Sequence, residues 1–361
     1  MQLDWLHILN FKNCEEREFL FQPGINCLVG PNGKGKTNML DAIYYLCFTR
    51  SFLNMTDSQN IRQNEAFFML EGKFTGFGGK EEHIQVSFKR GQKKTVRRNK
   101  KEYEKLADHI GLLPAVMVCP QYLSIVTGGS EERRRWLDML LSQFNPQYLQ
   151  SLINYQRILH QRNSLIKQMA DSGRWEEGTI LVYDAQLAKY GEEVYLLRKE
   201  FIDEFIKLFN EYYQFITNGA EEVSLSLISH LDGGENLADL LVKSRNKDRV
   251  LQYTTTGIHK DDLEFTINSM SIKKFGSQGQ QKSFLMALKL SEHNYLSTKL
   301  NASPILMLDD LFDKLDEHRV KQLLRRIAEE RFGQVFITDT GSSKLKHLFT
   351  ELGMEARFYD I

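Results

Sequence analysis

A surplus of charge of either sign is missing from this sequence. Lys and Arg together number 47, and so do Asp and Glu. No whole-molecule basic field draws the chain to nucleic acid, so any such contact has to come from a local patch. Cysteine is scarce and scattered: Cys14, Cys27, Cys47 and Cys119 form no C-x-x-C pair, which argues against a zinc site and against a disulfide framework. No apolar run reaches the roughly 18 residues needed to cross a bilayer. The opening MQLDWLHILNFKN lacks the charged-then-apolar pattern of a signal peptide. A cytoplasmic protein without membrane contact is the expectation. Internal repeats and low-complexity tracts are also missing. What remains is an ordinary globular composition, 42% apolar and 26% charged, over 361 residues, enough for one large domain or two to three ordinary ones.

The texture changes twice along the chain. Up to about residue 120 it reads as strands and turns with one clear helix. LDWLHILNFKN alternates, INCLV is a short apolar strand, and the stretch from Ala66 to Lys100 reads as strands broken by glycine-rich turns. In KTNMLDAIYYLCF, helical spacing puts Met39, Leu40, Ile43 and Leu46 on one side. From about Ser130 the sequence is helical almost throughout, broken at Pro146 and at DSGRWEEG, which predicts an antiparallel helical lobe. From about residue 251 strands return, ending in PILMLDDLF and QVFITDT. The fold class is α/β, with a discontinuous head over 1–125 and 251–361 and a helical insert over 126–250.

GPNGKGKT at 30–37 directly follows the INCLV strand and opens a helix. It fits G-x-x-x-x-G-K-[ST] through Gly30, Gly35, Lys36 and Thr37. Backbone N–H groups of such a loop cradle a β-phosphate, the lysine offsets β/γ charge, and the threonine hydroxyl meets Mg²⁺. The competing reading is a surface turn rich in charge. PILMLDDLFDKLD at 304–316 offers the metal partner. Ile305 to Leu308 suit a buried parallel strand, Asp309 would complete the Mg²⁺ shell, and Asp310 would polarise an attacking water. Acids capping a strand end are the plainer alternative. In KKFGSQGQQKSFLMALKL, Ser277 and Gly279 open a second helix with Phe284, Leu285 and Leu288 inward. This is either a second anion site, serving another copy of the chain, or a helix with Ser277 as its N-cap.

These segments in this order resemble an ABC-type ATPase head of the SMC-like class, with SQGQQ as the signature and DKLD as the D-loop. LHILNFKNC, GPNGKGKTNMLDAIYYL, GGSEERRRWLD, GIHKDDL and GSQGQQKS narrow the resemblance to the RecF family over nearly the full chain. The resemblance implies an ABC-type P-loop ATPase head with an inserted helical lobe. ATP would lie between two protomers, held by Gly30, Pro31, Asn32, Gly33, Lys34, Gly35, Lys36 and Thr37 of one. Ser277, Gly279 and Gln280 of the other would close the site. Thr37 and Asp309 would hold Mg²⁺, Asp310 would be the catalytic carboxylate, and Gln121 in CPQYLSIV the Q-loop residue. The family further implies an ATP-dependent homodimer that clamps DNA at single-strand/double-strand junctions and gaps, works with RecR and RecO, and so helps load RecA. Replication, recombination and the SOS response to DNA damage are the implied setting, with weak DNA-dependent ATPase activity acting as a switch. The other readings are an ABC subunit energising a transporter and an SMC-like chromosome structural protein. The helical insert is too arm-like for the first, and the second needs coiled coils far longer than this chain supplies.

One position departs from the common ABC pattern: Asp339 stands where many transport-type members carry a switch histidine, which suits slow turnover. Residues 89–105 hold nine Lys or Arg against two Glu. They read as a phosphate-binding patch or as a solvated hairpin, and few aromatics interleave for base stacking. Arg133, Arg134 and Arg135 open the helical lobe and either add to such a contact or pair with acids inside the head.

Overall fold

The computed structural model describes residues 1–76, 79–219, 221–310, 317–330 and 332–361. The chain forms two compact units. The first comprises Met1–Leu123, Tyr212–Ala220 and Gln278–Ile361, and the second Ser124–Glu211 and Glu221–Ser277. The α/β fold class is as expected. Residues 251–277, assigned to the head from the sequence, cluster here with the second unit.

The first unit is built on a five-stranded sheet in the order Ala356–Asp360, Ile25–Val29, Val335–Asp339, Ile305–Leu308, Ala115–Val118, with every neighbouring pair parallel. The three inner runs, INCLV, VFITD and ILML, and the edge run AVMV are buried at every residue. That is why they read as continuous apolar stretches rather than as alternation. A second, six-stranded antiparallel sheet runs Cys14–Leu20, Gln2–Phe11, Phe67–Thr75, Glu81–Lys89, Thr95–Arg98, Lys101–Glu102. Its first strand does alternate, burying Leu6, Ile8 and Asn10. A register shift between Leu3 and Trp5 puts Leu3 on the inner side as well.

The helix Lys36–Phe48 packs against strands of both sheets. Sequence spacing predicted one apolar side; instead every residue from Met39 to Thr49 is buried. With a sheet on either hand, the helix has no solvent face. Asp41, in its middle, is therefore buried. It pairs with Lys12 and accepts from Ser51 Oγ at 2.7 Å and from the Phe52 amide at 2.8 Å, as a buried charge requires.

The second unit carries the helices Ser130–Phe144, Pro146–Ser172 and Leu237–Leu251 and most of Glu177–Thr217. Asn145 caps the second of these by accepting from the Tyr148 amide, with Pro146 in the first turn, the position where a missing N–H costs nothing. Gly173 ends it in the left-handed conformation at φ 66, inside the DSGRWEEG turn. The helical texture hides one strand. Val223–Ile228 pairs antiparallel with Asp262–Ile267, and VSLSLI has the period-2 alternation of a half-buried strand.

The GIHKDDL segment is wired into this unit. His259 meets Tyr155 Oη at 2.7 Å and the Thr254 carbonyl at 3.0 Å. Asp261 pairs with Arg198, and Asp262 with Arg133. Arg134 donates to the Asp261 carbonyl, and Arg135 pairs with Glu131 and Glu132. The arginine triplet does meet polar partners, but within the second unit rather than the first. Among the described residues no helix is long and apolar enough to cross a membrane.

Candidate nucleotide-binding site

Residues 30–37 form the turn between the buried strand Ile25–Val29 and the helix Lys36–Phe48. Two glycines make the turn possible. Gly33 sits at φ 80 and Gly35 at φ 104, in the left-handed region that side chains other than Gly resist. A Cβ on Gly35 would also lie 2.8 Å from Asn13 Oδ1. The helix starts with no side-chain cap and no acid in its first turn. Its leading N–H groups and the positive end of its dipole thus face an anion site.

Lys36 is buried, and its ammonium donates to the carbonyls of Gly30 at 2.7 Å and Pro31 at 3.0 Å. It is tethered to the loop it closes. Pro31, Asn32, Gly33 and Lys34 are exposed. Thr37, at the start of the same helix, donates to Asp309, with Oγ1 at 3.1 Å from both carboxylate oxygens. Two residues 272 positions apart are thereby joined.

Asp309 is held on three sides. Its amide donates to the Val118 carbonyl, and its carboxylate accepts from Thr338 Oγ1 at 2.7 Å as well as from Thr37. Burial raises its pKa above the ordinary carboxylate value, and the charge of Asp310 adds to that; hydrogen bonds from Thr338 and Thr37 and the Lys36 charge oppose it. A buried carboxylate facing a hydroxyl is an oxygen pair of the kind a hard divalent cation takes. Asp310 follows at φ 48, a left-handed conformation that Asp tolerates better than most residues. Its amide donates to Thr338 Oγ1 at 2.9 Å. Among the described residues no three His, Cys, Asp or Glu cluster as a metal site. Mg²⁺ asks for no such cluster, since one or two protein oxygens beside substrate phosphates suffice.

Asp309 and Asp310 line a cavity of about 440 Å³ together with Gln278, Gln281 and Lys282. It opens at the carboxyl ends of Ala115–Val118 and Ile305–Leu308, where open α/β sheets bind ligands. Gln278, Gln281, Lys282 and Leu285 share one face of the helix Gln278–Leu300. Gly279 and Gln280 are not on that face. The Gly279 carbonyl accepts from Arg319 at 3.2 Å, and Ser277 is exposed immediately before the helix. Gln121 is exposed on the short turn Pro120–Tyr122. It does not line the cavity, although Pro120 does. Asp339 ends its strand beside the loop: its carbonyl accepts from the Gly30 amide at 3.3 Å, and its carboxylate from the Thr340 amide at 2.6 Å. DKLD, the expected D-loop at 313–316, lies outside the described residues.

Asn13 was not singled out from the sequence. It stands in the turn between the first two strands, donating to the Gly33 carbonyl at 3.4 Å and accepting from Asn38 Nδ2 at 2.7 Å. Only its place in LHILNFKNC, twenty positions ahead of the loop it touches, could have drawn attention to it.

A parallel sheet ending in a phosphate loop and a buried Asp, beside an antiparallel sheet, defines the head of an ABC-type P-loop ATPase of the SMC-like class. Comparison with known proteins agrees. The family model described as the RecF/RecN/SMC N terminal domain matches residues 2–356. The chain is 44% identical over 362 residues to the DNA replication and repair protein RecF of Phocaeicola vulgatus, covering 100% of this chain and 96% of that one. It is 46% identical over 340 residues to the RecF of Flavobacterium johnsoniae, covering 94% of each. The chain belongs to the RecF family of DNA replication and repair proteins. Among solved structures, the recombination mediator protein RecF-ATPrS of the RecFOR pathway superposes with a TM-score of 0.89 at 26% identity, covering 100% of this chain and 96% of that one. An SMC head bound to the C-winged helix domain of ScpA, at TM-score 0.55 and 15% identity over 96% of this chain and 91% of that one, shares the fold.

Proposed function

We propose that this chain is an ATP-dependent DNA clamp of recombinational gap repair. ATP is bound on residues 30–37, two chains close around it on DNA at single-strand/double-strand junctions, and slow hydrolysis releases them. The observation that carries the reading is the Thr37–Asp309 contact at the uncapped start of the phosphate-loop helix. Support comes from a solved RecF with ATP that superposes at TM-score 0.89 with 28% identity, covering 94% of this chain and 92% of that one. The RecFOR setting of that relative supports RecR and RecO as partners; help in loading RecA, in the cytoplasm, completes the proposal.

Each residue has a task in this reading. The loop amides from Gly30 to Gly35 hold phosphate oxygens, and Lys36 exchanges its contacts with the Gly30 and Pro31 carbonyls for β/γ oxygens. Thr37 and Asp309 would hold Mg²⁺, which supplies charge neutralisation between the phosphates. Asp310 takes up the proton of the attacking water, with Gln121 as the weaker candidate for positioning it. Gln278 and Gln281, in the first turn of the helix Gln278–Leu300, line the cavity beside their own Asp310, and Ser277, Gly279 and Gln280 are assigned to the nucleotide of a second copy. ATP then bridges two chains, and the enzyme activity is that of a switch.

Two variants test the site together. Lys36→Ala abolishes tight ATP binding in a calorimetric titration. Asp310→Asn binds ATP with near wild-type affinity and loses turnover by on the order of a hundredfold or more. Unchanged affinity in the first, or wild-type turnover in the second, contradicts the assignment.

A further inference from the structure

The basic stretch 89–105 forms the free edge of the six-stranded sheet, through Thr95–Arg98 and Lys101–Glu102. Its cations divide by what they do. Lys94 is half-buried; it pairs with Asp57 and donates to the Thr49 carbonyl at 2.6 Å. Arg98 grips Glu82 with Nε at 2.8 Å. Arg97 stands opposite Glu102 in the strand register. These three belong to the sheet. Lys89, Arg90, Lys93, Lys100, Lys101 and Lys105 are exposed, and none forms an ion pair among the described residues. The acids interspersed with them are Glu102 and Glu104 alone.

These cations sit on a rigid base. Asn99 and Lys100 both take left-handed conformations, at φ 51 and 71, the two-residue turn that matches strand twist. Asn99 Oδ1 accepts from the His83 amide at 2.8 Å, and its Nδ2 donates to Glu82 at 2.8 Å. Gly91, at φ 78, shapes the turn at the opposite end of the edge strand, where the Gln92 amide donates to the Lys89 carbonyl at 2.9 Å. The four-residue strand Thr95–Arg98 separates Lys93 from the turn at Lys100, roughly 13 Å at the strand rise. A duplex carries one charge per about 1.7 Å of axis, so a strip of that length meets several phosphates with little ordering cost. Base stacking is not offered. Tyr103, the one aromatic in the stretch, is half-buried with its ring against His109. The plainer role of such lysines is to keep an edge strand from pairing with another chain. That role does not call for six unpaired cations spread over both turns.

We propose that this hairpin edge, through Lys89, Arg90, Lys93, Lys100, Lys101 and Lys105, is a docking strip for the phosphate backbone of duplex DNA, read without regard to base sequence. The proposal rests on the DNA-clamp reading and places one of its contact surfaces on the ATPase head. The test is duplex binding by fluorescence anisotropy, with ATP, from 50 to 200 mM salt, for wild type and the triple variant Lys93→Gln, Lys100→Gln, Lys101→Gln. The variant keeps wild-type ATP affinity and melting temperature. It binds duplex on the order of tenfold more weakly, and its log–log salt slope is shallower by about 3, near 0.9 per lost phosphate contact. Equal affinity and slope in the two proteins overturns the strip, as does a variant that aggregates with its slope unchanged. Phosphatidylserine vesicles form a second arm: loss of vesicle binding with duplex binding intact would assign the strip to a membrane surface and overturn the proposal. A wild type that binds no duplex at any salt contradicts the clamp reading itself.

Discussion

Asn13 presses its side-chain oxygen against the Cα side of Gly35 and holds the Gly33 carbonyl with its amide. The phosphate loop is therefore shaped from outside as well as by its own glycines. An anion site of aligned N–H groups depends on the loop keeping its curvature before the ligand arrives, and Asn13 supplies part of that order. Asn13→Ala removes one neutral hydrogen bond to the loop, worth about 1 kcal/mol, or roughly fivefold in the Kd for ATP. Stability changes little, because the turn is exposed. Calorimetric titration beside a thermal melt checks it; a lowered melting temperature with unchanged affinity would make Asn13 a structural residue only. The contrast with residues 30–37 shows what a sequence discloses at this scale. The loop is contiguous, and its chemistry follows from residue type and spacing. Asn13 acts across a fold, and beyond its place in LHILNFKNC no residue type or spacing near it discloses that.

At the scale of elements, the parallel strands Ile25–Val29, Ile305–Leu308 and Val335–Asp339 were legible because burial on both faces leaves continuous apolar runs, whereas Ala356–Asp360, an edge strand with no buried residue, has no such run. The helix Lys36–Phe48 was placed correctly, yet its complete burial was not foreseen: periodicity reports one apolar side, and the second sheet lies in distant sequence. The strand Val223–Ile228 was lost in a helical stretch because its partner, Asp262–Ile267, comes more than thirty residues later. The helix Gln278–Leu300 carries a further consequence of burial. His293 stacks on Phe332 at 4.4 Å and meets the Pro304 carbonyl at 3.0 Å, and burial pushes its pKa down to about 4. The unfolded chain takes up this proton near pH 6.5, the folded chain only near 4. The neutral ring's contribution is complete above about pH 6.5 and is lost as pH falls toward 4. The loss amounts to about 3 kcal/mol for the single group. Melting temperatures from pH 7.5 down to 4.5 should fall, and should fall less steeply in His293→Gln, which starts lower. Parallel pH profiles in the two proteins would mean that other groups govern the acid limb.

For the whole molecule, the central claim is that one chain holds only half of a working site. Within a chain, the phosphate loop, Thr37 and Asp309 come together, and the cavity beside Asp310 takes one face of the Gln278–Leu300 helix. Ser277, Gly279 and Gln280 do not line that cavity; in the proposed dimer they stand at the helix start that would meet the phosphates of another copy. The two-copy reading came from pairing two phosphate-binding motifs in one sequence, and the inward Phe284, Leu285 and Leu288 are buried as expected; that Gln278, Gln281 and Lys282 line the cavity beside Asp310 could be seen only in the fold. The most direct measurement is light scattering of Ser277→Arg at saturating ATP, beside wild type and with a thermal melt. The account predicts an ATP-driven dimer for wild type and a monomer for the variant, which still binds ATP through its own loop. A full-sized variant dimer with a slightly lowered melting temperature, the loss of about 1 kcal/mol expected of a simple helix cap, would contradict it.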